Sequence, residues 1–126
     1  MVKKISTYNN SQSTASILEI NKFLFDYKKL LISNKSIEFL PRTLDDITNL
    51  GLNIESAKRE ILGLTYHNYD RGPTLDYNQD GTNVWEYGMS YEEDLVYIKL
   101  KIRNEKCICL SFKESTGPFT LPYRNW

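Results

Sequence analysis

The 126 residues suit one domain, and 16 Lys+Arg against 16 Asp+Glu cancel, so composition gives no bulk basic signal for nucleic acid. No apolar run approaches the roughly 18 residues of a membrane span, and Lys3 and Lys4 precede no apolar leader. Cys107 and Cys109 alone make neither a disulfide framework nor a zinc site, so the expectation is a small soluble cytoplasmic domain without membrane contact.

Residues 1–13 are rich in Ser, Thr, Asn and Gln and predict a flexible tail, leaving 14–126 as a single domain. Ile17, Ile20, Phe23, Leu24, Tyr27, Leu30 and Leu31 recur at helical spacing and predict a first helix from about Thr14 to Ser33. Ser16 and Glu19 have capping-box spacing. The short Ile37–Leu40 stretch is ended by Pro41. Thr43 is the expected cap of a second helix, Leu44 to Leu50, with Gly51 as a left-handed stop. Asn53 is the expected cap of a third, Ile54 to Leu62.

Residues 65–83 carry the loop signals Gly72-Pro73, Asn78 and Asp80-Gly81, and predict a long loop of the kind that often holds function. Three strands should follow: Val84–Tyr87, Leu95–Arg103 and Cys107–Lys113. Helices followed by a meander predict an α+β fold, with the N-terminal helices packed on one face of a small antiparallel β-sheet.

The last two strands form a hairpin whose register can be argued. Val96, Ile98, Leu100 and Ile102 share one face of the first strand, and Tyr97, Lys99, Lys101 and Arg103 the other. In the second, Ile108, Leu110 and Phe112 oppose Cys107, Cys109, Ser111 and Lys113. Joining the apolar sets on one side through a three-residue loop, Asn104-Glu105-Lys106, pairs Ile102 with Ile108, Leu100 with Leu110 and Ile98 with Phe112. On the other face Lys101 meets Cys109, Lys99 meets Ser111, and Tyr97 meets Lys113. Two readings fit that basic face: a solvated sheet surface, or a surface for phosphates, which respond to local rather than net charge. His67 is the single histidine and a candidate general acid or base.

Several stretches together resemble the MqsR family of bacterial toxins, endoribonucleases related in fold to RelE. They are Leu50-Gly51-Leu52, Ile61-Leu62-Gly63-Leu64, Asn68-Tyr69-Asp70-Arg71-Gly72-Pro73, Val84-Trp85-Glu86, Val96-Tyr97-Ile98-Lys99-Leu100 and Leu110-Ser111-Phe112-Lys113-Glu114, spanning roughly 37–115. The resemblance implies catalytic roles for Tyr97 and Lys113, the pair already opposed by register. It implies a further cationic role for Arg71, with a phenol at Tyr69. Glu86 stands where the family has Gln. The implied partners are an mRNA substrate and a cognate antitoxin, with DNA reached only through an antitoxin complex.

RNA carries an internal nucleophile in its 2′-OH, so cleavage needs no metal or other cofactor. It does need cations fixed on the phosphorane and a route for protons. The expected roles are Lys113 and Arg71 on the scissile phosphate, and Tyr97 in proton transfer or orientation. Lys99 and Lys101 would hold flanking phosphates, Tyr69 or Trp85 would stack a base, and His67 and Glu86 would line the substrate site. A protein-binding regulator or a catalytically degenerate homologue is the alternative.

Overall fold

A computed structural model of the protein describes residues 14–34, 36–76 and 80–124, so the tail expected over residues 1–13 lies outside the described residues. Helix α1 (Ile17–Asn34) begins at a reciprocal cap: Ser16 N donates to Glu19 Oε1 at 2.8 Å, and Glu19 N to Ser16 Oγ at 3.1 Å. It buries Ile20, Leu24, Tyr27 and Leu31, and the Tyr27 hydroxyl donates to the Ile108 carbonyl at 3.0 Å.

Pro41 starts the next helix instead of ending a segment. After a two-residue strand β1 (Glu38–Phe39), α2 runs Pro41–Asn49 with proline in its first turn, where no amide donor is needed. Thr43 is therefore inside the helix and not its cap; it is buried and its hydroxyl donates to Leu110 O at 2.9 Å. Gly51 takes the left-handed conformation, φ +81°. Helix α3 (Ile54–Leu62) is capped by Asn53, which exchanges hydrogen bonds with Ser56. Among the described residues no helix is long and apolar enough to cross a membrane.

The stretch expected to be a long loop contains a strand. A 3-10 turn at Tyr66–Asn68 leads into β2 (Tyr69–Leu75), which pairs irregularly with β3 (Asn83–Tyr91). Two register shifts along β2 spoil the period-two pattern that would have marked it. Strands β4 (Asp94–Arg103) and β5 (Lys106–Glu114) complete a five-stranded sheet in the order β1-β5-β4-β3-β2. The fold is α+β, with the helices preceding the sheet in sequence. The sheet is mixed and not wholly antiparallel, because β1 runs parallel to β5.

The hairpin register is half as expected. Ile98 pairs with Phe112, Lys99 with Ser111 and Tyr97 with Lys113. Nearer the turn, Leu100 pairs with Cys109, Lys101 with Ile108 and Ile102 with Cys107. The loop is a two-residue turn, Asn104-Glu105, with both φ positive (52° and 60°), the geometry that matches strand twist. One extra residue on β5, Leu110, is absorbed by a bulge at the shift between Lys99 and Leu100. Beyond it the faces of β5 exchange. Cys107 and Cys109 enter the core with Leu24, Leu100 and Phe112, and Ile108 moves to the other side with Lys101.

Candidate active site

Opposite the helices, the sheet presents two cross-strand rows. Glu86, Lys99 and Ser111 form one, and Gly88, Tyr97 and Lys113 the next. Arg71 reaches the first row from β2, where it pairs with Glu86. After β5 the chain turns back over this face. Ser115 N donates to Leu95 O at 2.7 Å, and the amides of Thr120 and Leu121 donate to Asp70 Oδ1 at 2.6 and 3.1 Å. The result is a pocket of about 280 Å³ with Arg71, Tyr97 and Lys113 on its wall and residues 115–120 along its rim.

Glu86 organises the pocket. It is only 5% exposed, and its Oε1 accepts from Tyr97 Oη at 2.6 Å and from Arg71 Nε at 3.1 Å. The carboxylate that would repel phosphate is thus neutralised by Arg71, whose own pKa is raised by that hydrogen bond and charge. Burial pushes the Tyr97 phenol well above its ordinary range, and the bond to Glu86 pushes it further. At neutral pH Tyr97 therefore holds its proton and is a donor, not a base. Among the described residues Lys113 makes no ion pair, which leaves its ammonium for an anion.

The structure brings Arg71, Tyr97, Lys113 and Glu86 together and sets the other expected site residues apart. Tyr69 is fully buried, donating to Gly72 O at 2.6 Å and accepting from Ala15 N at 3.0 Å, so its hydroxyl is spent on framework. Trp85 is buried and stacks on Phe23 at 4.9 Å, which removes it as a platform for a base. Lys101 is 1% exposed and its Nζ lies 2.9 Å from Asp76 and 3.4 Å from Asp80. Its buried ammonium closes an ion cluster with Asp76, Asp80 and Arg103 and does not face solvent as a phosphate ligand would. Lys99 stays half-buried beside Glu86. His67 lies in a neighbouring pocket with Nδ1 2.7 Å from Tyr123 O. Both thiols are core groups, and burial pushes Cys107 up to about 11 and Cys109 higher.

Two contributors had no reading from sequence as site residues. Asp70 anchors the returning segment, and Phe119 packs on Gly88 at the pocket edge. The turn dipeptides Gly117-Pro118 and Leu121-Pro122 signal that the chain reverses there, but not where it lands. No protein-family model matches the chain, and no curated protein matches it.

Proposed function

We propose that the protein is a cytoplasmic endoribonuclease of the toxin–antitoxin type, resembling MqsR-family toxins, that cleaves mRNA through its own 2′-OH. The observation that carries this reading is the open pocket holding Arg71, Tyr97 and Lys113 on one wall. Attack of the 2′-oxygen on phosphorus expels the 5′-oxygen and leaves a 2′,3′-cyclic phosphate. Charge builds on the non-bridging oxygens, where fixed cations act in a partly dehydrated site. Lys113 takes that role, with Arg71 beside it. Tyr97 has one proton, which Glu86 holds in the free protein; on RNA binding the hydroxyl turns it to the same phosphate or to the departing oxygen, the 2′-OH proton leaves to solvent and the 5′-oxygen takes its proton from solvent. Lys99 receives a flanking phosphate. A cognate antitoxin would cover this face, with DNA reached only through that complex.

The second reading is a catalytically degenerate homologue or a protein-binding regulator. It is favoured by Glu86 engaging both Arg71 and Tyr97, and by the cancelling charges. Single-turnover cleavage of a mixed-sequence RNA by purified protein in EDTA separates the two. The enzyme reading expects cyclic-phosphate products and a loss of about tenfold or more in Lys113→Ala, as for removal of one oxyanion donor. Equal cleavage by the variant removes Lys113 from the mechanism, and intact RNA with the wild-type protein favours the binding module.

A further inference from the structure

A second pocket, of about 310 Å³, opens on the same face of the sheet. Phe119 lines both pockets. The register shows how close they are. Gly88 sits across from Tyr97, Met89 across from Val96 and Ser90 across from Leu95, so two steps along β3 lead from the phosphate pocket into the second. Gly88 is what lets the Phe119 ring approach the sheet: a Cβ there would lie 2.8–2.9 Å from three ring carbons. The ring is thus a partition seated on a glycine, and its backbone is held in place by Asp70 on the following two amides.

The lining of this pocket is selective. Phe119, Leu95 and Leu121 supply apolar surface, Arg124 supplies a cation, and among the described residues no carboxylate lines it. Asn68 is spent on framework, accepting from Thr65 N and donating to Gly88 O, each at 3.0 Å. His67 donates through Nδ1 to Tyr123 O, which leaves Nε2 as an acceptor whenever the ring is neutral. Ser90 adds an exposed hydroxyl. An aromatic ring, a guanidinium, one acceptor and one hydroxyl suit a flat group with hydrogen-bonding edges. Unstacked nucleobases of single-stranded RNA have that character and settle on aromatic side chains.

We infer that this pocket takes a nucleobase flanking the scissile phosphate, with Phe119 as its stacking wall, and thereby sets which sequence is cut. The inference rests on the endoribonuclease reading. End-mapping of products from a mixed-sequence RNA yields both a rate summed over all sites and a base preference at each flanking position. Wild type should prefer one base at one position by about tenfold. Phe119→Leu keeps apolar bulk over Gly88 but removes the aromatic face, and Gly88→Ala pushes the ring outward. Each should flatten that preference below about threefold, while Lys113→Ala slows all sites alike and leaves it intact. Two folded variants that keep the wild-type preference, or a wild type with no flanking preference, overturn the inference and leave the nuclease reading standing. A wild type that cuts no RNA overturns both.

Discussion

The Tyr97 hydroxyl donates to Glu86 Oε1 at 2.6 Å, and Arg71 holds the same oxygen at 3.1 Å. One buried carboxylate therefore restrains two of the pocket's functional groups. In Glu86→Gln the side-chain carbonyl still accepts from Tyr97, but the negative charge is gone. Tyr97 should then titrate lower than in the wild type, though still above an ordinary phenol, because burial is the larger cause of its shift. The Tyr97 Cζ resonance followed against pH checks this, and an unmoved titration would remove Glu86 as a cause. Arg71 loses its ion pair, so its charge is no longer offset beside the phosphate. Cleavage should rise about fivefold, the equivalent of one hydrogen bond of about 1 kcal/mol.

Lys101 tests the difference between a phosphate ligand and a structural cation. Its buried ammonium is held by Asp76 and Asp80. Lys101→Ala leaves those carboxylates without their partner and empties the space of the alkyl stem. Urea denaturation should show a loss of about 3 kcal/mol, the lower end for breaking a buried pair, since both Asp side chains reach solvent. A phosphate-binding Lys101 would give the opposite pattern: weaker RNA binding with stability intact.

Asp80 gives the same cluster an acid-side dependence. Hydrogen bonds from the Thr82 side chain and backbone hold its carboxyl well below the usual range, with Arg103 and Lys101 adding to the effect. A depressed native pKa contributes stability that is present above the unfolded value and lost as pH falls through the native one. The Tm advantage of wild type over Asp80→Asn should be constant above about pH 5 and shrink below about pH 4, the ordinary carboxylate range. An advantage that persists unchanged into strong acid would mean that the carboxylate charge contributes nothing.

Tyr87 is fully buried, and its hydroxyl has no hydrogen-bond partner among the described residues. Burying that oxygen costs free energy that Phe would not incur. Tyr87→Phe should raise stability by about 1 kcal/mol in chemical denaturation, with the ring packing on Tyr69 retained. A destabilised variant would reveal a partner for the hydroxyl.

Helices α1 and α3 were legible because cap and apolar period agreed at Ser16–Glu19 and at Asn53. The start of α2 is hidden in the sequence, because Pro41 reads as a stop although its lost amide is harmless in a first turn. In the hairpin, simple alternation places the cysteines with the polar set, although free cysteine is among the most buried residue types. Cys107 and Cys109 can reach the core only if a bulge shifts the alternation before Ser111. The Tyr97–Lys113 pairing was nonetheless legible, since a three-residue loop without a bulge and a two-residue turn with one give the same register past Lys99. Burial of Tyr69, Trp85 and Lys101 is not legible in the sequence: it depends on Ala15, Phe23, Asp76 and Asp80, which are distant in sequence.

The bulge at Leu110 is consequently slack in the hairpin. Deleting Leu110 would close the ladder and still leave Ser111 opposite Lys99 and Lys113 opposite Tyr97. Inserting one residue between the bulge and Lys113 would instead slide Lys113 one step along β4 and carry its side chain to the helix side. This strand can therefore lose a residue at the bulge without disturbing its cations, but it cannot gain one beyond it.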